Sequence, residues 1–393
     1  MRRPVVLLLY TAVFAGEVMW SAIVPLVPVF AHRFALSPLQ SGVLLASASV
    51  AILVVSIPAG MLGERMGVRR VTLAAMVVLA AADAGQGLAG TFWELLAARV
   101  LFGVGFGVLW TTGLAWLSEA TGDNQARALS LAVTTAGLGN VAGPAFAGFL
   151  VQRYGLAAPF TVTAAVTVLL AAGLAADHSE TGRTTPAAEA TTRALSSALR
   201  DRRVGVSLVL MTLGGLLGGA VNLLVPLQLH RNGVTTAAIG LAFAVSAILF
   251  IGTSAGVAQL GDRAVSAGIG AVATAAAAVT LVIVLASTST VAVVAFLIVR
   301  GPIAAVIYTI TFPLGVRGGR EAGIGVATMA ALLNIVWAMA TLVAPIFAGA
   351  HAQTVGDRAA YGVVAVLCIA ATPWIASARR PPAPAARPAL GGD

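Results

Sequence analysis

Long apolar stretches separated by short polar breaks run along almost the whole chain. A helix rising ~1.5 Å per residue needs roughly 20 mainly apolar residues to cross a bilayer core. Stretches of that kind occupy 5–30, 40–61, 71–90, 92–117, 128–150 and 157–176, then 204–229, 238–260, 265–287, 291–314, 322–350 and 360–377. The pattern predicts twelve spanning helices, and an even number puts both termini on one side of the membrane. The main polar break, 177–203, separates two sets of six. Its last part, with Arg193, Arg200, Arg202 and Arg203, reads either as a basic amphipathic helix on an anionic leaflet or as a solvated linker. The proline- and alanine-rich segment 379–393 is expected to be a disordered cytoplasmic tail.

The two sets of six look like copies. Pro28, His32, Arg33 and Gly42 fall on Pro226, His230, Arg231 and Gly240 at one offset of 198, and Glu64-Arg65 falls on Asp262-Arg263. At an offset of 201, Arg99 falls on Arg300, and Gly143-Pro144 and Gly148 fall on Ala344-Pro345 and Gly349. Duplication on this scale in an apolar chain predicts a transporter of two pseudo-symmetric six-helix bundles. The expected units are an N-terminal bundle 1–176, a cytoplasmic linker 177–203 and a C-terminal bundle 204–378.

Composition agrees with lipid as the solvent: 59% of 393 residues are hydrophobic, 9% are charged, and mean hydropathy is +0.98. A soluble domain carries roughly a quarter charged residues. The net charge of +9 comes with no lysine, and the arginines gather at the ends of apolar runs. That excludes the contiguous basic face of a nucleic-acid binder. With the N-terminus inside, seventeen arginines fall in cytoplasmic segments and four (Arg33, Arg153, Arg231, Arg358) outside. This bias predicts a multi-pass protein of the inner (plasma) membrane with both termini cytoplasmic. The alanine- and arginine-rich usage suits a bacterial genome of high GC content. The lone Cys368 excludes an intramolecular disulfide, and the four histidines lack metal-ligand spacing. Met1-Arg2-Arg3 before an apolar stretch superficially resembles a signal peptide, but the stretch continues to about Phe30 and has a counterpart in the second half, so it is read as the first span.

After the second span come Gly60, Gly63, Glu64, Arg65, Gly67, Arg69 and Arg70. Glycines permit a tight turn, and an acid beside arginines can build a charge cluster that latches two bundles and releases as they rock. The plain alternative is a topogenic loop. Asp262 and Arg263 echo the acid–arginine pair in the second half. In the fourth span, Arg99 precedes Gly103, Gly105 and Gly107. A guanidinium inside a membrane must face the bundle interior and find a partner. The acids within reach are Glu17 in the first span and Asp83 in the third. Desolvation and an arginine neighbour act on a buried carboxyl in opposite senses, which would let Glu17 load and release protons; a static ion pair is the alternative. Arg300 has no acid in neighbouring spans, which leaves a backbone carbonyl or the substrate as its partner. In the fifth span, Gly139, Asn140, Gly143, Pro144 and Gly148 combine a helix kink with close helix approach.

These runs resemble signatures of the major facilitator superfamily. The Gly60–Arg70 run resembles its loop after span two, with Glu64 in place of the usual aspartate. Arg99 with Gly103 resembles its fourth-span motif, and Gly139–Gly148 its fifth-span signature in drug:proton antiporters, with Ala147 in place of one glycine. The resemblance implies an all-α integral membrane protein of the major facilitator fold, with 12 transmembrane helices. It implies a part in proton transfer for Arg99, with Glu17 and Asp83 as the acids at hand for proton coupling, and gating through Gly60, Glu64, Arg65, Gly67, Arg69 and Arg70; Asp262 and Arg263 are a candidate gating pair by their echo, which lacks the later glycine and basic pair. A substrate cavity is expected from Trp20, Trp110, Asn140, Asn222, Arg300, Asn334 and Trp337, although each taken singly also suits packing. The expected function is export of a small, amphiphilic drug or metabolite by proton antiport. A sugar or metabolite permease is the second reading and a non-transporting receptor the third. The partners are a small-molecule substrate, protons and the lipid bilayer, with no nucleic acid, in a monomer. No cofactor is implied. An enzyme is not expected, because no span combines a nucleophile, a base and an orienting acid.

Overall fold

A computed structural model describes residues 3–176 and 192–379. The first half contains α1 (Arg3–Arg33), α2 (Pro38–Met66), α3 (Val68–Leu88), α4 (Phe92–Val108), α5 (Leu114–Thr121), α6 (Gln125–Tyr154) and α7 (Ala158–Ala175). A short amphipathic helix, α8 (Thr192–Arg200), precedes α9 (Arg202–Arg231), α10 (Thr236–Gln259), α11 (Ala267–Ala286), α12 (Thr290–Glu321), α13 (Val326–Thr354) and α14 (Asp357–Ala376). All twelve anticipated spans are helical, with α4 and α5 forming one span joined by a π turn, Leu109–Gly113. The tail from 380 and the linker residues 177–191 lie outside the described residues. The rest of the linker is α8 and the start of α9, and Ala198 of α8 is fully buried beside Val204, Met211, Ile324 and Met329.

Eleven of the described helices are individually long and apolar enough to cross a membrane. The exception is α6, which Gly137, Gly139, Asn140, Gly143 and Pro144 make less apolar than its neighbours. It needs less intrinsic hydropathy because it packs along α1 on one side and α10 on the other. The first span is integral to the core: its most apolar window is 78% buried.

The duplication extends to how the helices begin. Ser37 caps α2 by accepting from the Gln40 N–H, and Thr235 caps α10 by accepting from the Ala238 N–H. Thr91 caps α4 and Ser289 caps α12 in the same way. Each pair is 198 apart, and each cap satisfies a donor that helix geometry leaves unpaired.

The halves meet at the end that carries the 34–37 turn, through two matching crossings. Gly42 of α2 lies against the Pro345 carbonyl of α13, and Gly240 of α10 lies against the Pro144 carbonyl of α6. One turn away, Gly349 faces the Pro38 carbonyl and Gly148 faces Thr236. Only glycine lets backbones approach this closely.

Candidate functional site

Glu17 lies halfway along α1 and is 6% exposed. The Trp110 indole N–H donates to its Oε1 at 3.0 Å, and the Asn140 amide donates to its Oε2. Two local features bring these donors in. The first is the π turn that carries Trp110, where Thr111 and Thr112 bond back to the Gly107 and Val108 carbonyls at 2.8 and 2.9 Å; such turns widen a helix and re-aim its side chains. The second is the glycine face of α6. A Cβ on Gly139 would stand 2.6 Å from the Phe14 carbonyl oxygen and 2.8 Å from the Glu17 Cβ, and one on Gly143 would strike Ser21 and the Val18 carbonyl. Without those glycines α6 could not carry Asn140 to the carboxylate. Asn140 itself is exposed, so the carboxylate is one side chain from accessible space.

Arg99 does not pair with Glu17. Among the described residues no carboxylate oxygen lies within 4.0 Å of its guanidinium. Instead Nη2 donates to the Trp20 carbonyl at 3.4 Å, and the cation lies 4.8 Å from the Phe102 ring and 5.6 Å from the Trp20 ring. Its Nε and Nη1 are buried without partners. The acid in its electrostatic field is Asp83. Asp83 is 2% exposed. Gln86 donates to it at 3.5 Å, and the Thr163 hydroxyl of α7 also reaches it. Glu17 and Asp83–Arg99 are therefore two stations, joined through Trp20, which stacks on Phe106 at 5.3 Å.

The turn after span two differs from the anticipated loop. Helix α2 continues to Met66 and α3 starts at Val68, so Gly67 alone, with φ +89°, makes the connection. Glu64, Arg65 and Arg70 are exposed and form no ion pair among the described residues, so the expected charge cluster is not assembled in this conformation. Arg69 points elsewhere: its Nη2 donates to the Ala175 carbonyl at 2.8 Å and closes the end of α7. In the second half Gly261, with φ +56°, opens a short 3-10 turn that includes Arg263; the side chain of Asp262 is outside those described.

A sequence profile described as "Major Facilitator Superfamily" matches residues 9–330. The chain belongs to the Major Facilitator Superfamily. The similar relatives include MFS-type transporter ppzB of Metarhizium majus, 28% identical over 158 residues, which are 38% of this chain and 34% of that protein. MFS-type transporter YcaD of Escherichia coli is 28% identical over 256 residues, 62% of each chain. The matched part thus spans about a third of the first relative's length and less than two thirds of the second's. A bacterial homologue of the human lysosomal transporter Spinster, solved inward-facing and unoccupied, superposes with a TM-score of 0.78 at 15% identity, covering 96% of this chain and 98% of that one. At that identity the likeness establishes the fold alone.

In this chain the anticipated cavity residues divide into groups. Trp20, Trp110 and Asn140 converge on the Glu17–Arg99 region. Trp337 stands beside the Tyr308 hydroxyl in the second half. Asn222 is half-buried on α9, and Asn334 is exposed on α13. Tyr308, Gln86 and Thr163 were not anticipated. Gln86 is three residues after Asp83 and Tyr308 eight after Arg300, spacings that share a helix face; Thr163 had no comparable signal, because α7 meets α3 only in the folded bundle. A surface cleft of about 630 Å³ at the opposite end, lined by Arg203, Ile269, Leu314 and Arg317, touches none of these residues.

Proposed function

We propose that this transporter exports a small amphiphilic molecule in exchange for protons, with Glu17 as the principal proton-carrying group and Asp83–Arg99 as a second station. The observation that carries the reading is the Glu17 carboxylate, buried at the middle of α1 and held by donors from two other helices, with no cation beside it among the described residues. Changing the charge of a buried carboxyl is costly unless its surroundings change too. Its charge state is thereby tied to the placement of α1 against α6 and the π turn. Alternating access supplies that change of placement, with the bundles 1–176 and 204–378 rocking so that the glycine crossings close in one state and part in the other. The arginine distribution supports cytoplasmic termini in a plasma membrane, which makes the sealed 34–37 end the outer one and this state inward-open. Antiport rather than uptake rests on the fifth-span pattern Gly139–Gly148.

The test is transport into everted vesicles under an imposed proton gradient, screened over diverse amphiphilic compounds. Accumulation is expected to collapse with the gradient, and Glu17→Gln is expected to abolish the proton-driven part while leaving gradient-free exchange measurable. Accumulation indifferent to the gradient would sink proton exchange. Undiminished proton-driven flux in the variant would remove Glu17 from it.

A further inference from the structure

The two intramembrane arginines occupy matching places in the repeat, yet their surroundings differ. Arg99 shares its half with Glu17 and Asp83 and meets a carbonyl and two aromatic faces. The second half has no such provision. Its acids Asp201, Asp262, Glu321 and Asp357 all stand at helix ends or in turns. Among the described residues Arg300 has no ion-pair or hydrogen-bond partner, and its Nε and Nη1 are buried and unbonded. The groups in its electrostatic reach are the hydroxyls of Tyr308 and Tyr361, not a carboxylate. The residue as a whole is nonetheless only half-buried, so it keeps a route to accessible space.

A guanidinium in the interior of a membrane protein without a counter-charge is strongly disfavoured. Among the described residues of its own bundle none supplies the anion. Two turns along the same face of α12, about 12 Å away, Tyr308 packs over Gly214 of α9. Its ring is 6.1 Å from Phe250, and Trp337 stands beside its hydroxyl. A forked cation followed by an aromatic platform suits a molecule with a negative head and an apolar body.

We propose that Arg300 is the docking point for an anionic head group, a carboxylate or phosphate, of the transported amphiphile, whose apolar body lies towards Tyr308, Phe250 and Trp337. This rests on the transport reading above and names the cargo class. Glu17 then serves proton exchange in the first half, while the second half reads the cargo's charge.

Binding of decanoate, decanamide and decyltrimethylammonium to the full chain in nanodiscs, followed by intrinsic tryptophan fluorescence, tests the proposal. Decanoate is expected to bind at least tenfold more tightly than the other two. Arg300→Gln is expected to erase that preference, and Arg300→Lys, which keeps the charge without the fork, to retain part of it. Unfolding temperatures check that each variant is folded. If Arg300→Gln does not fold, Arg300→Lys carries the test alone, through a weakened decanoate preference. Equal affinity for all three probes, or a decanoate preference unchanged in the variants, would overturn the proposal. So would full displacement of decanoate by chloride at matched ionic strength, which would mark a site for small inorganic anions. Binding is read without a proton gradient. Decanoate binding through Arg300 together with gradient-independent flux would leave this inference standing and remove proton exchange.

Discussion

Replacing Gly240 with alanine tests whether the glycine crossings set the conformational equilibrium. The new Cβ would land on the Pro144 carbonyl oxygen, 2.8 Å from its carbon and 3.3 Å from the Ala145 Cα, whereas ordinary contact begins at 3.4 Å. All three neighbours are backbone atoms, so no side chain can rotate away, and α10 and α6 must part by roughly 1 Å at a cost of about 1–3 kcal/mol. The penalty falls on the state in which this end is sealed and not on the one in which it opens. It therefore shifts the ratio of the two states by about 5–150-fold towards opening. Gly42→Ala should act alike, because its Cβ meets the Pro345 carbonyl in the same way. Gly252→Ala, on the same helix as Gly240 with nothing within 4 Å, is the control.

The assay is electron–electron distance measurement between spin labels on the 34–37 and 232–235 turns, in a Cys368→Ser background. Wild type and Gly252→Ala should show a dominant short distance, with a longer population rising in Gly240→Ala and Gly42→Ala. Distributions that superimpose on wild type for both crossing variants would refute the reasoning. So would an equal response in the control.

Trp110→Phe removes the indole donor to Glu17 but keeps a ring near Phe106, now 6.3 Å away. Loss of a hydrogen bond to a charged group, about 1.5–3 kcal/mol, should lower proton-driven flux tenfold or more, as measured in vesicles beside gradient-free exchange. Arg69→Ala frees the Ala175 carbonyl at the end of α7; a loss of about 1 kcal/mol should lower the melting temperature by a few degrees, read by thermal unfolding in detergent. For Glu17→Gln and Arg300→Gln the expected results are the loss of gradient-driven accumulation and the loss of carboxylate preference.

Much of this architecture was legible along the chain because membrane solvent makes one property, unbroken apolar length, decide where helices lie. Twelve spans and the 198- and 201-residue repeat are local or periodic features of that kind. The glycines of α6 were also legible as places of close approach. Their targets were not, since Gly143 meets α1 while Gly148 meets α10. Partner choice in the interior was decided by the tertiary structure alone. Glu17 and Arg99 sit at similar depths and invite pairing, yet the carboxylate goes to Trp110 and Asn140, and the arginine goes to aromatic faces and the field of Asp83. Depth along a helix follows from counting residues. The rotation of one helix against another does not, because it comes from side-chain packing across the whole bundle and from a π turn that local preferences do not announce.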